Sequence, residues 1–236
     1  NHFCRFSIFK EFKSRINEVT LQSIRIYTTK CVILDLIFSK MKDLFLKRFQ
    51  YYKNIADQTF EQLEEPQLFW QYNPESNSIA TIVKHISGNM ISRWTNFLTE
   101  DGEKEWRNRD AEFENDIQSK AEMLEMWEKG WLVLFDALNQ VNDANINSII
   151  LIRGEKISVV DALLRQLAHY PYHIGQIIYL AKMLKNDDWK TLSIARNKSQ
   201  EYTELLKKQS SAEIHQNSSP VCYAKSDEVR DEYQTE

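Results

Sequence analysis

Three of the five histidines have types and spacing that could do chemistry. His169 and His173 are four residues apart in Arg165-Gln-Leu-Ala-His-Tyr-Pro-Tyr-His-Ile-Gly-Gln176. On a helix that spacing stacks both imidazoles on one face, one turn apart, so one helix can offer two ligands to one ion. His85 lies in a second apolar stretch, Ile82-Val-Lys-His-Ile-Ser-Gly-Asn-Met90. Three neutral imidazoles suit Zn²⁺, Ni²⁺ or Fe²⁺, with zinc and nickel placed first, and leave at least one coordination position open. That is the pattern of a reactive rather than a purely structural site. The competing reading is a pair of buried histidines hydrogen-bonded to their neighbours. His2 and His215 lie in the terminal segments and are set aside.

Polar residues fringe the three histidines. Asn89 falls one turn beyond His85, Gln176 three residues beyond His173, and Arg165 one turn before His169. Arg93 falls seven residues after Ile86, so it points inward, and a buried guanidinium needs an anionic partner. Asn89, Arg93, Arg165 and Gln176 are therefore the candidate substrate-binding residues, with ion pairs to neighbouring acids as the alternative for the two arginines. No catalytic acid or base stands out: paired carboxylates such as Glu64-Glu65 and Asp187-Asp188 sit at predicted helix ends.

Helices must position these groups. Glycine and proline are scarce, five and four in 236 residues, and runs of alternating β-branched residues are absent. Four amphipathic segments are predicted: Lys42 to Leu63, with Leu44, Tyr51, Ile55, Thr59 and Leu63 inward; Ser78 to Leu98, capped by Ser76 or Asn77; Gln118 to Leu138; and Val159 to Leu184. In the last, Val160, Leu164, Leu167, Ile174 and Ile178 form one apolar face and the histidines lie opposite. Pro66 is read as ending the first helix, and Pro171 as kinking the fourth or breaking it at Tyr170. Two short apolar runs around Arg153-Gly154 read as a β-hairpin between helices three and four. The expected fold is all-α, an up-down four-helix bundle with that short hairpin.

The bundle is expected over residues 41–208, beginning at Met41-Lys-Asp-Leu-Phe. Residues 1–40 read as a basic extension, seven Lys/Arg against three Asp/Glu. Residues 209–236 read as a polar acidic tail, two against six, expected to be disordered. A net charge of −4 gives no field for nucleic acid, and no apolar run is long enough to cross a membrane. Three scattered cysteines make no disulfide framework, which fits a reducing, cytoplasmic setting.

Four stretches carry a family resemblance. Ser76-Asn-Ser-Ile-Ala-Thr-Ile-Val-Lys-His-Ile-Ser-Gly-Asn-Met-Ile-Ser-Arg93 is followed by Phe97-Leu-Thr-Glu-Asp-Gly-Glu-Lys-Glu-Trp-Arg-Asn-Arg-Asp-Ala-Glu-Phe113, and later come the two-histidine segment and Trp189-Lys-Thr-Leu-Ser193. Together they resemble a bacterial domain family of unknown function within the DinB-like (damage-inducible) superfamily. The resemblance implies a four-helix bundle with metal ligands at His85, His169 and His173, and homodimers. It also implies a metal-dependent enzyme acting on a small-molecule substrate. Thiol-dependent S-transferases that use bacillithiol or mycothiol come first. A metal-dependent hydrolase or a non-enzymatic stress-related binding protein is the alternative.

Overall fold

The computed structural model describes residues 41–216, and the basic extension 1–40 and the tail beyond 216 lie outside the described residues. The secondary structure follows the helical periodicity closely. Residues 41–61 are helical (α1). After it come α2 (Glu65–Leu68), α3 (Ile79–Trp94), α4 (Lys120–Gln140), α5 (Val159–Lys185) and α6 (Ser199–Gln216), with strands β1 (Ile149–Ile152) and β2 (Glu155–Ser158) between α4 and α5. The described chain is mostly helical with one two-stranded antiparallel sheet.

Several local expectations are corrected. Pro66 does not end α1, which stops at residue 61; it occupies the first turn of α2, where its missing N–H costs nothing. The cap of α3 is Ser78, whose hydroxyl accepts the N–H of Thr81 at 3.0 Å, rather than Ser76 or Asn77. Pro171 lies inside α5, which runs unbroken from Val159 to Lys185. Leu44 is 56% exposed, because the buried line of α1 is Phe45, Phe49, Ala56 and Phe60, joined by Ile55 and Thr59 from the expected set, with Leu63 buried just past its end. Along α5 the buried stripe is Val159, Leu163, Gln166, Tyr170, Ile174, Ile177 and Ala181, and Leu164 is exposed. The helix α6 was not expected at all; it crosses residue 209.

The contacts divide the chain into two compact units. The first takes residues 41–50, Gly88–Arg107 and Lys129–Ala168. Here Phe49 packs edge-on to Trp131 at 6.4 Å, and Trp131 stacks on Phe135 at 5.6 Å. The hairpin pairs Ile149 with Ser158 and Ile152 with Glu155. Its two turn residues, Arg153 and Gly154, have φ of 57° and 75°, the double left-handed geometry whose twist suits a two-residue hairpin. Ile150 and Ile152 are buried, whereas Ile149 and Leu151 are exposed, the alternation of a half-buried strand. Asp101 holds the turn: its carboxylate accepts the N–H groups of Arg153 at 2.8 Å and Gly154 at 2.7 Å, and that of Glu103 at 2.7 Å.

The second unit comprises Tyr51–Ser87, Asn108–Glu128 and the described residues from His169 on. Its core centres on Trp127, which is fully buried, meets Phe60 edge-on at 5.3 Å and donates Nε1–H to Asp57 at 2.7 Å. Lys120 donates to the carbonyls of Phe60 and Leu63 at 2.8 Å each, where the chain leaves α1. Gln62 and Lys190 exchange two hydrogen bonds, pinning the segment after α5.

Gly175 has open space where a Cβ would stand and lies within α5. Gly175→Ala is therefore expected to stabilise the fold by about 0.5–1 kcal/mol, since alanine loses less backbone entropy in a helix. Urea unfolding checks this, and a lower midpoint than wild type would show that the glycine is needed for a contact.

Candidate metal centre

The three histidines meet within the second unit. Among the described residues, one ligand atom from each of His85, His169 and His173 lies within 4.8 Å of the others. The i, i+4 spacing on α5 places Nε2 of His169 3.1 Å from Nε2 of His173. The ring of His85 stands 5.5 Å from that of His169 and 5.0 Å from that of His173, near-perpendicular to both. His85 is 5% exposed and the α5 pair is half-buried, so the cluster has a closed side and an accessible one.

The neighbours set the imidazole tautomers. Glu112, itself buried, lies 3.0 Å from Nδ1 of His85. A carboxylate only accepts, so Nδ1 is the donor of this pair, and in the neutral ring that tautomer leaves the lone pair on Nε2. Gln176 does the same for His173: its Oε1 is 2.8 Å from Nδ1, while its Nε2 donates to the Tyr172 hydroxyl at 3.3 Å. Burial holds His173 below the ordinary imidazole pKa, and the Gln176 hydrogen bond opposes it. The ring is therefore neutral at neutral pH, as a ligand must be. Lone pairs on His85 and His173 pointing away from their hydrogen-bonded nitrogens, beside a third imidazole, form the donor chemistry that a borderline divalent ion takes.

The four fringe residues divide between the two units. Gln176 joins the histidines, where it orients His173. Asn89, Arg93 and Arg165 belong to the first unit. Asn89 and Arg93 are buried, Arg165 is exposed, and Arg93 has Glu103 at 3.5 Å as its anionic partner. The small polar residues along α3 serve the fold: Ser78 and Thr81 bond each other and Asn115, and Ser92 bridges Gly102 and Lys104.

Sequence reasoning missed Glu112 and Phe113. Both sit on a short 3-10 helix, Asp110–Phe113, and Phe113 stacks on His85 at 4.8 Å. The only signal was that both close the second resembling stretch, Phe97 to Phe113. Glu112→Ala is expected to weaken divalent-metal affinity about 10–100-fold, as loss of a ligand's orienting carboxylate does. Competition with a chromogenic chelator measures this, and Glu112→Gln, which keeps an acceptor, should recover part of it. Wild-type affinity in the alanine variant would remove Glu112 from the site.

A cleft of about 490 Å³ in the same unit is lined by Gln58, Glu61, Glu64, Lys185 and Asp188 among others. It holds no histidine, so the chemistry is assigned to the triad.

A mostly helical chain that converges three imidazoles, two of them from one helix turn, defines the class of candidate metalloproteins with an open histidine site. The family model described as "Protein of unknown function (DUF1572)" matches residues 39–198, and the chain belongs to that family. No curated protein matches it. Among solved structures it is similar to the conserved protein of locus from Enterococcus faecalis, with 11% identity and a TM-score of 0.47 over 60% of this chain and 95% of that one.

Proposed function

We propose that this protein is a divalent-metal enzyme of the DinB-like four-helix type that transfers a low-molecular-weight thiol to a small electrophile. The observation that carries the metal half is the meeting of His85, His169 and His173 within 4.8 Å, with Nδ1 of two rings engaged by Glu112 and Gln176. The thiol half is supported by the sequence resemblance. On the same reading α1, α3, α4 and α5 are the four helices of the bundle, and the protein works as a cytoplasmic homodimer. Among the described residues no helix is long and apolar enough to cross a membrane.

The three histidines would hold zinc or nickel. A bound ion supplies Lewis acidity that keeps a coordinated donor atom anionic near neutral pH. Glu112 holds the His85 ring in one tautomer, and Gln176 does so for His173. Phe113 covers one face of His85 and excludes water there. In the transfer the thiol gives up its proton, a sulfur–carbon bond forms, and the leaving group departs with the electron pair of the bond it breaks. Hydrolysis is less well supported, because Glu112, the carboxylate found at the histidines, is engaged with His85 rather than free to act as a general base.

The test is turnover of an electrophilic aryl halide by the full chain loaded with zinc or nickel, with bacillithiol and mycothiol supplied in turn. Product formation should require both metal and thiol. Ester cleavage without thiol would point to the hydrolase, and no turnover in either assay to a binding protein.

A further inference from the structure

The segment Asp101-Gly-Glu103 belongs to the resembling stretch but plays no part in the histidine site. It builds a second centre, within the first unit. A Cβ on Gly102 would come within 3.2 Å of Ile152 and 3.3 Å of Arg93, so glycine lets the backbone lie against the Arg93 side chain. Oε2 of Glu103 stands 3.5 Å from Nη1 of Arg93, 3.2 Å from Nη1 of Arg107 and 3.2 Å from Nε of Arg153. One carboxylate thus faces three guanidinium groups, each carrying five N–H donors. Arg93 is 5% exposed, and its Nε and Nη1 have no hydrogen-bond partner. Burial lowers the Arg93 pKa; Glu103 raises it, and the charges of Arg107, Arg165 and Arg153 lower it further. Asp101 is the second acid in range of Arg93. Four guanidinium groups against two carboxylates leave two positive charges over, around a buried cation whose donors are unmet.

We propose that this cluster is a binding site for a phosphate group, with Arg93 as its inner donor and the exposed Arg153 and Arg165 as its outer ones. A phosphate monoester carries about −1.5 to −2 charges at neutral pH and three acceptor oxygens, which matches both the surplus charge and the planar forks of arginine. Glu103 orients the guanidinium groups, and the anion takes donors that Glu103 leaves open. The inference does not depend on the metal reading.

The experiment is calorimetric titration of the full chain with inorganic phosphate and with glycerol 3-phosphate, at low salt and against chloride at matched ionic strength. Saturable binding of one anion per chain is expected. Arg153→Gln and Arg165→Gln, both at exposed positions, should each weaken it about tenfold, the effect of losing one charge-assisted contact. Arg93→Met should abolish it, and if that variant fails to fold the two exposed variants still decide. Tighter binding of glycerol 3-phosphate would place the phosphate on an organic ligand, and equal binding would assign the site to the free ion. No saturable binding of either anion, or binding unchanged in both glutamine variants, would overturn the proposal and leave the cluster a clamp on the hairpin.

Discussion

His169→Ala is expected to leave the chain folded and unable to retain a divalent ion. His169 supplies one of three convergent imidazoles and sits half-buried on α5, its Nε2 3.1 Å from that of His173. Removing it leaves two ligands on different helices, and two imidazoles rarely hold zinc or nickel against water. The loss should exceed the effect expected for Glu112→Ala, so at least about 100-fold in affinity. The metal-free fold should barely change, because the stripe that carries packing on α5 runs through Tyr170, Ile174 and Ile177. Circular dichroism and unfolding of the metal-free variant would therefore match wild type to within about 0.5 kcal/mol. A variant that lost its fold as well would show that the imidazole carries packing, and the case would then rest on His173→Ala.

The largest expected effect on stability is at Trp127. The side chain is fully buried, meets Phe60 edge-on and bonds Asp57, which is also held by Lys53 at 2.8 Å. Trp127→Ala should cost about 3–5 kcal/mol, the usual range for emptying a large aromatic site. Trp127→Phe keeps most of the packing and deletes only the Nε1–H to Asp57 bond, so it should cost less, about 1.5–3 kcal/mol for a bond to a charged acceptor and the volume lost with it. Urea unfolding of both variants separates the terms. A cost below about 1 kcal/mol for the alanine variant would mean that the core does not centre on this ring.

How far the sequence could be read depends on the kind of signal. The histidine pair was legible because a spacing of four has one meaning on a helix, and His85 because it borders the apolar face of Ile82, Ile86 and Met90, all buried. Helices α1, α3, α4 and α5 were legible from period alone. The buried side of α5 was not: its residues are apolar on both sides, and period cannot choose between Leu164, which is exposed, and Leu163, which is buried. Nor could chemistry choose among Ser76, Asn77 and Ser78, three good caps in a row. Helix α6 is too polar to show a stripe. Glu112 escaped because it sits on one turn of 3-10 helix, 27 residues from His85, and only the folded chain brings them together.

The central claim is that three histidines of this chain hold one divalent ion. The direct measurement is elemental analysis of the chain after purification, repeated after exposure to equal zinc and nickel and removal of the excess. The account predicts close to one ion per chain for wild type and close to none for His169→Ala and His173→Ala. Wild-type protein that takes up no ion, or variants that keep as much as wild type, would contradict it.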